Sequence, residues 1–174
     1  MTAVIASDND IEVRDLVLDT PKVQWLWQKF LAHKTVFTDL TRHDYQNFMR
    51  MLLQPGSLWF EFVENNEVIG VASVMDIEMI VDGNVHIIFF DRKVSGRVEV
   101  CRKLLIYVMR EYSFHRLTAT LPEIFKATIR LLKELEFRHE GTKIEAVPIG
   151  GRWHNMAIYG ILRSQVEAWN GWQD

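Results

Sequence analysis

Two carboxylates and an imidazole stand close together in the middle of the chain: Asp76 and Glu78 in Val74-Met75-Asp76-Ile77-Glu78, and His86 in Val85-His86-Ile87. Each can take a proton from a reacting nucleophile, the work of a general base. Both segments read as strands, in which alternate residues share a face, so Asp76 and Glu78 would project to one side and could look into a cleft together. The alternative place for the pair is the solvated side of a half-buried sheet. A histidine among apolar neighbours, such as His86, is more often a hydrogen-bonded structural residue than a catalyst, and the same holds for His115, His139 and His154. The six histidines show no metal-ligand spacing, and the single cysteine, Cys101, cannot build a zinc site. Cys101 falls on the apolar face of a helical segment, where a buried, inert thiol is expected.

A second cluster is basic: Arg92-Lys93-Val94-Ser95-Gly96-Arg97, followed by Arg102 and Lys103. Ser95 and Gly96 can form a tight turn whose free amides, with the positive end of the helix that follows, would hold an anion such as a phosphate. The cationic side chains suit the same ligand. They would serve equally as solvated charges on a loop and a helix face.

These groups need a frame. After a polar start, residues 11–18 alternate as a first strand. Thr20-Pro21 opens a helix, with the threonine as cap and Val23, Leu26, Trp27, Phe30 and Leu31 as its apolar stripe. Thr41 caps a second helix carrying Tyr45, Phe48, Met49, Leu52 and Leu53, and Pro55-Gly56 stops it. The period then changes to that of strands over 58–63, 67–79 and 85–90. Turns at Asn65-Asn66 and Asp82-Gly83-Asn84 make these a three-stranded antiparallel meander. Helical spacing returns over 98–112, a short strand covers 117–121, and Pro122 starts a helix reaching about Leu135. Two last strands, over about 137–149 and 153–162, are joined through Gly150-Gly151.

The last third of the chain carries a resemblance. Leu135-Glu136-Phe137, Glu140-Gly141, Gly150-Gly151-Arg152-Trp153-His154-Asn155-Met156 and Tyr159-Gly160-Ile161-Leu162 follow one another as helix corner, strand, hairpin and strand. This resembles the closing half of a GNAT N-acetyltransferase, nearest to the ribosomal-protein type, and the element order of the whole chain is similar to that family's. The resemblance implies an α/β (α+β) fold, a mixed and mostly antiparallel twisted sheet of about seven strands flanked by about four helices.

It also implies acetyl-CoA as cofactor, bound where the family's fourth and fifth strands splay apart. On the family's Q/R-x-x-G-x-G/A loop, Arg92 matches the opening residue, while Ser95 and Arg97 fall on the two glycines; a shift by one residue recovers Gly96 as the first. The cofactor is accordingly expected at Phe89, Phe90, Arg92, Ser95, Gly96 and Arg97. For catalysis the resemblance points to Asp76, Glu78 or His86 as base, and to Thr128, which keeps a hydroxyl where ribosomal-protein-type members have a serine. The common tyrosine is replaced by Leu132, and the corner glycine by Glu136. The implied activity is transfer of an acetyl group to an amine of a small molecule or protein, with Trp27, Phe37, Tyr45, Trp153 and His154 near the acceptor. The alternative is a GNAT-like module without catalysis that serves in binding or assembly, similar to proteins of tailed bacteriophages.

Composition bounds the rest. With 174 residues, 48% hydrophobic and 25% charged, the chain is expected to form one domain over 1–163 and a short extension over 164–174. A net charge of -3 and a pI near 6.1 argue against a nucleic-acid or anionic-membrane partner, which would need a basic excess. No apolar run approaches the ~20 residues of a membrane span, and Met1 to Asp10 lacks the pattern of a signal sequence. A lone cysteine suits a reducing compartment, so the expected location is cytoplasmic, or particle-associated under the assembly alternative. Trp169 and Trp172 in the extension would either fold back onto the domain or anchor self-association or another partner.

Overall fold

The computed structural model describes residues 3–8, 10–33, 38–39, 44–79, 81–91, 95–170 and 172. Strands β1 (Val4–Asp8) and β2 (Ile11–Asp15) form a hairpin. Helices α1 (Thr20–Ala32) and α2 (Tyr45–Leu52) follow, then the meander β3 (Leu58–Glu64), β4 (Glu67–Glu78) and β5 (Asp82–Phe89). Helix α3 (Arg97–Glu111) leads to β6 (Arg116–Pro122), α4 (Lys126–Glu134), β7 (Arg138–Ile149), β8 (Arg152–Leu162) and a short α5 (Arg163–Val166). The strands make one eight-stranded sheet in the order β1-β2-β3-β4-β5-β6-β8-β7. Every pairing is antiparallel except β5 with β6, which run parallel.

Each face of the sheet carries its own apolar cluster. On one side Val100, Cys101, Leu104, Leu105 and Val108 of α3 pack with Leu131, Leu132 and Leu135 of the α4 segment onto Phe60, Phe62, Val74, Leu117 and Tyr159. On the other, Val23, Leu26 and Phe30 of α1 and Phe48 and Leu52 of α2 cover Val71 of β4. The i, i+3, i+4, i+7 spacing of these residues drives the arrangement, because burying the stripe is most of what stabilises a helix of this length. Lys22 of α1 also ion-pairs across 2.7 Å with Glu61 of β3, a carboxylate only 8% exposed.

Several boundaries differ from the expected ones. The polar lead-in contains β1, whose residues are half-buried or exposed, with Ile5 and Ala6 adjacent against the core, and so give little alternation to read. Asp19, one residue before the expected threonine, caps α1 by accepting the Lys22 N–H at 2.8 Å. Asp44 caps α2 through the Asn47 N–H at 3.0 Å, while Thr41 lies outside the described residues. Asp82, Gly83 and Asn84 belong to β5, and the preceding turn closes by Val81 N–H to Glu78 C=O. Gly83 is required there by close packing, since a Cβ would sit 2.5 Å from Val74 Cγ1. Pro122 ends β6, and α4 begins at Lys126.

The C-terminal extension folds back. Val166 is fully buried, and Trp169 and Trp172 pack against the α3 side of the core. The guanidinium of Arg102 lies 5.5 Å from the Trp169 ring and that of Arg163 lies 5.1 Å from the Trp172 ring, both cation–π contacts.

Candidate active site

The parallel pair β5–β6 is where the sheet opens. The two strands share one register pair, Asn84 with Thr118, after which β5 runs on through His86 to Phe89 and β6 through Thr120 to Pro122 without further pairing. Behind that point the strands are fastened. Arg116 of β6 ion-pairs with Asp82 of β5 and Glu140 of β7 at 3.2 and 2.6 Å, and the Thr118 hydroxyl donates to Asp82 at 2.8 Å. The two strands are thus fastened at the Asp82–Arg116 end and have no ladder pair beyond Asn84–Thr118 toward their carboxyl ends.

Helix α3 begins beyond that cleft. Its N-cap is Gly96, with φ 74° in the left-handed region, a conformation that costs other residues roughly 1–2 kcal/mol. Among the described residues no side chain makes a cap hydrogen bond to this helix start, and the first turn carries one carboxylate, Glu99, which is paired with Arg102. Ser95 is exposed and Arg97 is half-buried at the first turn. Arg92 and Lys93, expected in the same cradle, lie outside the described residues.

The other expected cations are engaged elsewhere. Arg102 pairs with Glu99 and Glu136 and donates to the Glu134 carbonyl at the end of α4, while Lys103 binds Asp8 and the Ser7 carbonyl of β1. They tie α3 to α4 and to the sheet edge. The two phenylalanines divide between the faces: Phe89 stacks on Phe62 at 4.7 Å on the α3 side, and Phe90 packs edge-on to Trp25 at 5.6 Å on the α1 side.

On the α1–α2 side lies a cavity of about 140 Å³. Phe30 of α1, Met51 of α2, Trp59 of β3, Met75 of β4 and Ile88 of β5 supply apolar walls, and Ser73 and His86 are its polar side chains. Ser73 and His86 stand opposite each other in the β4–β5 register, so their side chains share this face. Ser73 is 2% exposed. Burial holds the His86 imidazole below its ordinary pKa of 6.5, and the negative charge of Asp76 partly offsets this. The imidazole is therefore neutral near pH 7, with a lone pair available for a proton. A histidine flanked by Val85 and Ile87 reads as structural in sequence; its place opposite Ser73 is visible only in the sheet register.

The expected carboxylate pair behaves differently from simple alternation. The β4–β5 register shifts between Met75 and Glu78, and Asp76 has φ 50°, so a bulge interrupts the pleat. Asp76 accepts a hydrogen bond from Gln54 at 2.7 Å and acts on His86 through space. Glu78, opposite Asp82 in the register, is exposed. Thr128 is half-buried on α4, with no hydrogen bond joining it to Asp76 or Glu78 among the described residues.

One polar group escaped sequence reading altogether. The Asn84 Oδ1 atom is buried without a hydrogen-bond partner among the described residues. Asn84 precedes His86 by one pleat repeat on the same face of β5 and stands opposite the cavity residue Met75. Of the residues expected near an acceptor, Trp27 and Tyr45 stack together at 5.3 Å, Trp153 is 62% exposed on β8, and the His154 ring meets the Ile149 carbonyl. Phe37 lies outside the described residues. Among the described residues no group of three or more His, Cys, Asp or Glu side chains could hold a metal, and no helix is long and apolar enough to cross a membrane.

A mixed sheet parted between two parallel strands, with an uncapped helix start beyond the gap, is the architecture of the GNAT acetyltransferases, and the chain has that fold. The sequence matches no family model and no curated protein. Solved structures supply the likeness. RimL, a ribosomal L7/L12 alpha-N-protein acetyltransferase solved in complex with coenzyme A, superposes with a TM-score of 0.72 at 18% identity over 92% of this chain and 98% of that one. A spermidine N-acetyltransferase from Vibrio cholerae in complex with CoA and spermine gives 0.71 at 14% identity, covering 90% and 98%. A probable acetyltransferase gives 0.72 at 15% identity, covering 95% and 98%. At such identities the likeness is one of fold. The resemblance to bacteriophage proteins finds no support among these neighbours.

Proposed function

We propose that the chain is an N-acetyltransferase that carries an acetyl group from acetyl-CoA to an amine. The observation that supports this most is the parting of β5 from β6 after the single pair Asn84–Thr118, with the uncapped, left-handed Gly96 start of α3 beyond it. The free edges offer backbone groups to an extended amide chain, and the helix start offers amides and a positive dipole to a pyrophosphate. Ser95, Gly96 and Arg97 would hold that anion, joined by Arg92. Phe89 and Phe90 would brace the strand that faces the pantetheine chain.

Acetyl-CoA, when bound, supplies the activated acyl carbon and a thiolate leaving group. The chain's own part is to hold and deprotonate the amine. His86, neutral and lining the cavity, would take one proton from the amine nitrogen as that nitrogen bonds to the acyl carbon and the carbon–sulfur bond breaks, and the imidazolium would give the proton up through solvent to the departing thiolate. Asp76 stabilises the imidazolium that forms, at the cost of a slightly more basic resting histidine. Thr128, on the helix that follows the end of β6, is assigned a hydrogen bond to the departing sulfur. Glu78 is assigned no role in the step.

A second reading, a binding or assembly module without catalysis, draws on Leu132, which occupies the position of the family's common tyrosine and is buried in the core. Release of free thiol from acetyl-CoA separates the two. The proposal expects amine-dependent thiol release by the full chain that is lost in Gly96→Glu. Acetyl-CoA binding without release on any amine supports the module instead.

A further inference from the structure

The cavity beneath α1 and α2 also limits which amine can react, an inference that rests on the acyl-transfer reading. Its volume of about 140 Å³ matches that of a single compact group; an apolar protein cavity of ~150 Å³ binds benzene. Phe30, Trp59 and Ile88 make stiff walls, while Met51 and Met75 are adaptable gap-fillers. Among the described residues no carboxylate lines it, and its polar side chains are Ser73 and His86 on the sheet floor. Both can accept an N–H, Ser73 through its hydroxyl oxygen and the neutral His86 through its ring nitrogen, and an amino group brings at least two N–H donors.

We propose that the acceptor is a monoamine bearing one compact apolar group, aryl or branched alkyl, which fills the cavity while its amino nitrogen meets His86, with Ser73 opposite. A polyamine fits poorly: its next ammonium, a few methylenes away, would meet apolar walls, while Asp76, the carboxylate that acts on His86, is exposed and already engaged by Gln54, and a buried charge without a close partner is strongly unfavourable. A free aralkyl or alkyl amine and the first residue of a peptide that begins with phenylalanine or leucine share this chemistry.

The test uses the full chain, saturating acetyl-CoA and four acceptors: benzylamine, isoamylamine, a peptide beginning with phenylalanine, and spermidine. The expected kcat/KM for the best apolar amine exceeds that for spermidine by about 100-fold or more. Benzylamine ahead of the peptide identifies a free amine, and the reverse order identifies an N-terminal residue. Met51→Ala, which enlarges the cavity, should raise the preference for naphthylmethylamine over benzylamine by about 10-fold. Separately, benzylamine without cofactor should shift the isotopically labelled methyl resonances of Met51 and Met75. Spermidine turned over as well as or better than benzylamine overturns the inference and leaves acyl transfer standing. Methyl shifts at Met51 and Met75 with no acetylation of any amine overturn acyl transfer and leave the cavity assignment standing. Absence of both methyl shifts overturns the cavity assignment.

Discussion

Replacing His86 by leucine removes the proposed base at little structural cost. The imidazole has no hydrogen bond among the described residues, and its surroundings include Met75, Ile88 and Trp59, so an isosteric apolar side chain fits the site. Loss of a positioned general base lowers kcat by about 10²–10⁴, equivalent to roughly 3–5 kcal/mol of barrier. The pH profile carries the sharper signature. Burial keeps His86 below 6.5, so kcat/KM for the wild type should rise with pH to a plateau already reached by about neutrality. Asp76 pushes the other way by favouring the imidazolium. Asp76→Asn removes that charge while keeping an acceptor for Gln54 and a side chain that tolerates φ 50°. The rising limb should therefore move to lower pH in Asp76→Asn and disappear in His86→Leu. The assay is the initial rate of thiol release across pH 5–9, with the thermal midpoint of each variant as folding control. A folded His86→Leu protein within ten-fold of wild type, or an Asp76→Asn limb displaced to higher pH, would refute the reasoning.

Other outcomes follow from the same geometry. Because folded His86 resists protonation, the unfolded chain takes up its proton first; stability present above pH 6.5 should be lost as pH falls through the folded pKa, at no more than about 1.4 kcal/mol per pH unit, and His86→Leu should cancel this component in urea titrations. Asn84→Leu removes a buried acceptor that has no hydrogen-bond partner among the described residues, so the urea midpoint should hold or rise. Asp39 accepts the Gly150 and Gly151 N–H groups at 3.0 and 2.8 Å, joining the segment before α2 to the β7–β8 turn. Asp39→Ala should cost about 1–2 kcal/mol of stability and speed hydrogen exchange at both glycine amides.

The fold was legible where periodicity was strong. The apolar stripes of α1, α2 and α3 and the alternation of β3 to β5 place those elements within a few residues. The misses have local causes: β1 is half-exposed, the Asp82-Gly83-Asn84 triplet looks like a turn although Gly83 serves close packing against Val74, and Pro122 looks like a helix start although it ends β6. The site was less legible because it is made of register. Asp76 and Glu78 share a face only if the pleat is unbroken, and the bulge after Met75 breaks it. Ser73 and His86 come together through cross-strand pairing of β4 and β5, which no single segment encodes. Arg102 and Lys103 read as part of the loop charges because their partners, Glu136, Trp169 and Asp8, are remote in sequence.

The claim on which everything else depends is that the gap between β5 and β6 holds an acyl-CoA. Calorimetric titration of the full chain with acetyl-CoA tests it most directly. The account predicts one site per chain with a dissociation constant on the order of micromolar, some −8 kcal/mol, weakened about 100-fold or more in Gly96→Glu, where a left-handed N-cap would have to accept a side chain and a negative charge. No heat at millimolar acetyl-CoA, or identical binding by Gly96→Glu, would contradict it.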